Sequence, residues 1–274
     1  MLGAVLSAEQ IQSFHEQGFL HAQHLMTDTH ADELRERMFE VIEGRSANKA
    51  ESVRNMGGEQ NVVIQIVNIW EADELFRRHM YHPELTAMIA QLMNTDTVRV
   101  WHDQVQYKPP TIGGPTNWHQ DHPYWPIIQP ADLVSAWMAL DDATIENGCM
   151  WMVPQSHKWG PHKGGTIGTD PANFRPLPDM SLLPEGVSVE PVPCEVKKGD
   201  VMFHHCLTWH GSPPNRSSHG RPAIAVHYMP GYTRYEKDPA KTHLVEHNVE
   251  VAPGEVLKGT HFPTVRENGE PLTP

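Results

Sequence analysis

A chain of 274 residues with 39% hydrophobic and 20% charged side chains can bury a sizeable core, which excludes a disordered or low-complexity protein. Its formal net charge of −13, with no block of Lys or Arg, gives a nucleic acid or an anionic membrane surface little to bind. No segment approaches the ~20 consecutive apolar residues of a membrane span.

Cys149, Cys194 and Cys206 are scattered and form no CxxC, which argues against a disulfide framework or a cysteine-based zinc site and fits a reducing compartment. The opening MLGAVLSAEQ meets charge at Glu9 too soon for a secretory signal, so a cytoplasmic location is expected.

In chain order, Ser7 and Gln10 have capping-box spacing, Ile11 and Phe14 share a helical face, and Gly18 suits a helix stop. A second helix is predicted over 30–43, with Leu34, Met38, Val41 and Ile42 as its stripe and Gly44 after it. A third opens at Pro83, with Leu85, Met88, Ile89 and Leu92 in line. From residue 97 the period shortens to two. TVRVWHDQVQYK, LVSAWMAL, GCMWMV, VSVEPVPCEV, DVMFHHCL and PAIAVHYM read as short strands divided by Gly, Pro and the Asn147-Gly148 turn. With no helices between them, these strands predict a sandwich or barrel. The stretch from His157 to Gly186 lacks periodicity and is expected to be a functional loop. Residues after 235 read as a polar, irregular tail over the barrel. One domain over 1–274 is expected, with a helical part at about 1–95, a β core at about 96–232 and a tail over 233–274.

The chemistry concentrates in NWHQDHPYWP. His119 and Asp121, two positions apart on a strand or at its end, project to one face. HHCLTWHGSPPN offers His204, His205 or His210 as a third donor. Two imidazoles and a carboxylate leave open positions on an octahedral ion, the donor set of non-haem Fe(II) oxygenases. Among 19 histidines, an HxD pair alone is equally well a polar loop. Arg221, eleven positions after His210, shares a strand face with Ala223, Ala225 and His227. Small neighbours leave room for its guanidinium to fork a carboxylate; a structural ion pair is the alternative. His122 either hydrogen-bonds near the metal or lies at the surface, and is read as a surface residue. His204 and His205, adjacent on a strand, face opposite sides, so at most one points inward, and both are read as structural. His157 either approaches substrate or anchors the long loop, and His227 is expected to stand behind the metal ligands. Trp118, Tyr124 and Trp125 either line a substrate mouth or pack in an aromatic core, and Cys206 reads as a small buried apolar residue.

Taken in order, HQDHPYWP, NGCMWMVPQSH, GDVMFHHCLTWHGSPPNRS and RPAIAVHY resemble the phytanoyl-CoA dioxygenase family of Fe(II)/2-oxoglutarate oxygenases, over about residues 7–232. The specific part is the combination of HxD, His-Gly-Ser and an Arg eleven positions on. The resemblance implies a mostly β fold with flanking helices: a double-stranded β-helix (jelly roll, cupin-like) whose N-terminal helices buttress one sheet. It implies His119, Asp121 and His210 as catalytic Fe(II) ligands. Arg221 would bind the distal carboxylate of 2-oxoglutarate, with Ser212 donating to the same group. Trp137 matches a tryptophan lining the cosubstrate pocket, and Gln104 and Lys108, on one face of HDQVQYK, match polar positions near the cosubstrate. The implied reaction consumes O2 and 2-oxoglutarate, releases succinate and CO2, and hydroxylates a C–H bond of a small molecule. Asp121 argues against a halogenase, because halogenating relatives lack this carboxylate.

Two departures stand out. Gln155 occupies a place where the family usually has Gly, which puts the local turn in question. The residues after HxD also differ, so substrate identity does not carry over; the acidic net charge disfavours a large polyanion such as a CoA ester. Two alternatives remain: a cupin-like hydrolase or isomerase using zinc or manganese, which leaves Arg221 unexplained, and a non-catalytic ligand-binding jelly roll. Oligomeric state is not readable from the sequence.

Overall fold

Residues 5–162, 190–238 and 240–274 are described by the structure, a computed structural model. Most of the loop predicted from His157 to Gly186 therefore lies outside the described residues. Helix α1 (Ala8–Gln17) begins as the sequence predicts. The Ser7 hydroxyl accepts from the Gln10 N–H, and the Gln10 side chain accepts from the Ser7 N–H, closing a capping box. Gly18 ends the helix at φ +87, and a Cβ there would lie 2.4 Å from His157 Nδ1 and 2.7 Å from Thr208 Oγ1. Helix α2 (Asp28–Ile42) starts two residues before its predicted boundary because Thr27 caps it through the His30 N–H. Helix α3 (Glu74–Met80) is too short to show a stripe and was not predicted; α4 (Pro83–Met93) carries Pro83 in its first turn.

The strands are β1 (Phe19–Ala22), β2 (Ser52–Asn55), β3 (Ile64–Val67), β4 (Val98–Lys108), β5 (Thr116–His119), β6 (Ile128–Gln129), β7 (Val134–Ala139), β8 (Met150–Met152), β9 (Val192–Cys194), β10 (Val201–His205), β11 (His210–Ser212), β12 (Arg221–Pro230), β13 (Arg234–Tyr235), β14 (Thr264–Glu267) and β15 (Glu270–Pro271). Among the described residues a large sheet runs β1-β10-β7-β12-β4-β14-β15, with β3 also pairing β4 and β2 pairing β3. A smaller sheet runs β5-β11-β8-β9, and β13 pairs β6. The mostly β jelly roll with helices against one sheet is the fold found.

Alternation along β12 shows how the layers divide. Ile224, Val226 and Tyr228 pack with Phe14, Leu34, Met38, Phe76 and Ile89 of the helices. Ala223 and Ala225 of the opposite face pack with Trp137, Met150, Met152 and Met202 between the sheets. Burying so many apolar side chains on both faces makes the large sheet a rigid plate. The β4–β12 register slips between His227 and Tyr228, which pair with His102 and Val100 respectively. Trp101 is thus the extra residue of a bulge, and beyond it the inward parity of β4 passes to His102, Gln104, Gln106 and Lys108. The chain after residue 235 does more than drape over the sheets. Val245, Leu257 and Phe262 join a second apolar cluster with Trp101 and Trp125, and β14 extends the large sheet beside β4.

Candidate active site

A cleft of about 440 Å³ lies between the two sheets. Gln104, Trp137, His204, Arg221 and His227 reach it from the large sheet, and His119, Met150, His210 and Ser212 from the small one. In the antiparallel β5–β11 pair, His119 stands directly opposite His210 with ring centroids 4.1 Å apart. The strands approach closely at Gly211, where a Cβ would come within 3.0 Å of Thr116 O and 3.1 Å of Trp118 N. Asp121 lies two residues beyond β5, at the start of a single 3-10 turn (His122–Tyr124). Its Oδ1 is 3.5 Å from Nε2 of both His119 and His210.

Local hydrogen bonds decide which atoms face that focus. His119 Nδ1 donates to Asn117 O at 2.7 Å, and His210 Nδ1 donates to Thr208 O at 2.9 Å. Each ring therefore turns its Nε2 lone pair toward Asp121, as a ligating imidazole must. Burial, and then His119 beside it, holds the His210 pKa well below the ordinary imidazole value, so the ring is neutral. Burial works to raise the Asp121 pKa, but His210, His119 and His204 around it prevail and hold it well below the usual carboxylate range. One ligand atom from each of His119, Asp121 and His210 falls within 4.8 Å of the others. Two imidazole nitrogens and an ionised carboxylate converging in this way fit a divalent iron.

On the other side of the cleft Arg221 is 2% exposed, with its guanidinium 5.3 Å from the centroid of the Trp137 ring. Burial lowers its pKa to about 10, which leaves it charged at neutral pH. Its register partner Lys108 is also fully buried. The ammonium donates to Ser212 Oγ at 2.6 Å and Pro213 O at 2.8 Å, and its pKa is driven well down by burial and then by Arg221. Among the described residues neither cation has a carboxylate partner. Because Ser212 Oγ accepts from Lys108, its own proton is available to the cleft. Gln104 Oε1 accepts from Gln65 Nε2 at 2.8 Å, which leaves the Gln104 amide group as a donor.

The structure therefore gathers His119, Asp121, His210, Arg221, Ser212, Trp137 and Gln104 around one space, with Lys108 not lining it but buried behind Ser212. It also corrects two readings. His122 is 5% exposed and donates through Nε2 to Ile128 O at 3.0 Å, an acceptor supplied by a loop that the sequence does not reveal. His204 is not merely structural: it faces the cleft and meets Asp121. Strand alternation marks its side, because Val201 and Phe203 face the helices and Met202 faces inward. His205 points the other way, toward His157, which donates to His15 O and anchors its segment. Trp125 is core, packed with Trp101 and against His227, whereas Tyr124 is 38% exposed beside His119. Trp118 sits in a cluster with Val153, Trp209, Trp151 and Trp159. Cys206 is fully buried, as expected.

The family model for phytanoyl-CoA dioxygenase matches residues 14–223. The chain belongs to the phytanoyl-CoA dioxygenase family. The enzyme is 27% identical over 265 residues to peroxisomal phytanoyl-CoA dioxygenase of Rattus norvegicus, covering 90% of this chain and 76% of the rat protein. It is 30% identical over 160 residues to phytanoyl-CoA dioxygenase domain-containing protein 1 of Mus musculus, covering 57% of this chain and 53% of that protein. Among solved structures it resembles the non-haem, α-ketoglutarate-dependent carbocyclase SnoK from nogalamycin biosynthesis, with TM-score 0.78, 28% identity and coverage of 94% and 96% of the two chains. The hydroxyectoine-bound EctD of S. alaskensis, at TM-score 0.71 and 21% identity over 86% of this chain and 80% of that one, shares the fold. The protein is a non-haem iron dioxygenase that uses Fe(II), 2-oxoglutarate and O2. No described helix is long and apolar enough to cross a membrane.

Proposed function

We propose that His119, Asp121 and His210 hold the Fe(II), that Arg221 and Ser212 hold the distal carboxylate of 2-oxoglutarate, and that the enzyme hydroxylates a C–H bond of a small molecule. The observation that carries this reading is a buried, charged Arg221 with no acid partner among the described residues, in the same cleft as a convergent His-Asp-His set. Iron, 2-oxoglutarate and O2 together supply the oxidising power, with succinate and CO2 released. The chain's own residues bind, orient and exclude water. His119 and His210 present fixed Nε2 atoms, Asp121 supplies the anionic donor, and Arg221 offers a planar fork for a carboxylate. Lys108 orients the Ser212 hydroxyl, Trp137 backs the guanidinium, and Gln104 offers an amide donor. Ala223 and Ala225, packed beside Trp137, leave the space a cosubstrate needs. A hydrolase or isomerase at the same triad would leave the buried Arg221 cation without purpose.

Residues 1–274 are proposed to form one dioxygenase domain, and the three free buried cysteines support a cytoplasmic location. The likeness to a carbocyclase from nogalamycin biosynthesis supports a small-molecule substrate. Anaerobic addition of Fe(II) and 2-oxoglutarate should give a visible charge-transfer band, and Asp121→Ala should abolish both the band and succinate release. A colourless mixture under saturating conditions would overturn the reading.

A further inference from the structure

The two oxygens of Asp121 have different company. Oδ1 faces the His119 and His210 Nε2 atoms, while Oδ2 is 3.1 Å from His204 Nε2 and 3.2 Å from Ser135 Oγ. A carboxylate anion only accepts, so both neighbours of Oδ2 must be donors. For Ser135 this fixes the next link. Its single proton goes to Asp121, and His227 Nδ1, 2.6 Å away, must donate to the Ser135 oxygen. For His204 it fixes the Nε2–H tautomer. His204, Ser135 and His227 are 2%, 0% and 2% exposed, so bulk water does not compete for these bonds.

The arrangement is built into the sheet. Ser135 on β7 is the register partner of His204 on β10 and of His227 on β12. Three polar side chains thus stand in one row across three neighbouring strands, in a plate whose other face is packed largely with apolar side chains of the helices. His204 Nδ1 and His227 Nε2 are buried without hydrogen-bond partners among the described residues. A row that only filled space would be apolar, because unpaired buried nitrogens are unfavourable.

We propose that His204 and Ser135, with His227 behind Ser135, are positioning residues that clamp Asp121 Oδ2, so that the carboxylate meets the metal through Oδ1 alone. A monodentate Asp121 beside two imidazoles leaves three positions of an octahedral ion open, whereas a chelating carboxylate would close one of them. The clamp rests on the assignment of Asp121 as a metal ligand.

The test uses the full-length protein, titrated anaerobically with Fe(II), then with 2-oxoglutarate while the charge-transfer band is recorded. His204→Leu removes the donor and should weaken Fe(II) binding by about 10- to 100-fold and displace the band. His204→Gln places an amide N–H near the position of Nε2 and should restore most of the affinity and the parent band. Ser135→Ala should weaken binding on its own and further in combination with His204→Leu. A folded His204→Leu protein with parental Fe(II) affinity and band would overturn the clamp. Loss as complete in His204→Gln as in His204→Leu would overturn it too, since His204 would then act as a ligand or by shape. If His204→Leu does not fold, the other two variants decide, and an unchanged Ser135→Ala protein counts against the clamp. Asp121→Ala is run in parallel. If it binds Fe(II) as the parent does, the metal assignment itself falls, an outcome distinct from any result at residue 204.

Discussion

Arg221 shows how a single residue can be held against its own energetics. Removing a guanidinium from water costs several kcal/mol, even after the protein relaxes around it. The Trp137 ring 5.3 Å away returns about 0.5–2 kcal/mol, and no carboxylate is paired with it among the described residues. A cation in that position is stabilised only when an anion enters, which is the role proposed for the cosubstrate. Two effects of Arg221→Met should therefore have opposite signs. The affinity for 2-oxoglutarate should fall by about 1.5–3 kcal/mol, roughly 10- to 150-fold. The ligand-free protein should meanwhile gain about 1 kcal/mol or more, since an apolar side chain of similar length replaces an unpaired buried charge. Arg221→Lys keeps the charge but loses the planar fork, and should fall between the two in affinity. Anaerobic 2-oxoglutarate titration and thermal melting without ligands measure both effects. A less stable Arg221→Met protein with unchanged 2-oxoglutarate affinity would return Arg221 to a structural ion-pair role.

Elements in this fold were legible where their signals are local and illegible where a partner strand decides. The Ser7–Gln10 box and Gly18 fix both ends of α1 through contacts within a few residues, and the sequence shows them directly. The bulge at Trp101 depends on how β4 meets β12, and no property of WHDQV announces it. The proposed ligand set was legible because His119 and Asp121 are close in sequence and His210 is followed by Gly-Ser and, eleven positions on, by Arg221. Of the row behind it only His227 was expected, because Ser135 and His204 become its neighbours only through register. Gln155 lies between these cases. The substitution of a family glycine raised a question about the turn, and the backbone answers it: Gln155 sits at φ +64, ψ 0, with its N–H donating to Gln17 O at 2.8 Å. The left-handed turn is kept, with the strain of a Cβ in a conformation that glycine adopts freely. The Gln155 side chain is exposed, so little packing would be lost on removing it. Gln155→Gly should therefore stabilise the protein by about 1 kcal/mol, raising Tm by roughly 2–4 °C. Calorimetry on the two proteins checks this, and an equal or lower Tm would mean that the side chain contributes contacts that offset the strain.

For the whole molecule, the histidine content becomes a statement about pH. Several imidazoles outside the His119–Asp121–His210 cluster are enclosed by the fold and kept neutral. Burial is the main cause of a His205 pKa of about 3 and a His243 pKa of about 4, and of a His79 pKa well below the ordinary value. The unfolded chain would titrate these groups near ~6.5. Between the folded and unfolded values the unfolded state binds more protons, so stability rises with pH there. The contribution is complete above about pH 6.5 and is lost progressively as pH falls below it. At pH 5 the loss is about 1–2 kcal/mol for each of His205 and His243, after allowance for their partial exposure. One group opposes them. Asp103 is fully buried, which raises its pKa well above the usual carboxylate value, so its ionisation destabilises the fold as pH rises. One carboxyl against at least three imidazoles does not reverse the sign. The metal-free protein should accordingly lose several degrees of Tm between pH 7 and pH 5, before ordinary carboxylates titrate near ~4. His243→Phe, which keeps an aromatic ring near Trp101 and His102 but cannot take up a proton, should flatten that slope. A Tm independent of pH over this range would show that the buried imidazoles are protonated in the folded state, against the burial that surrounds them.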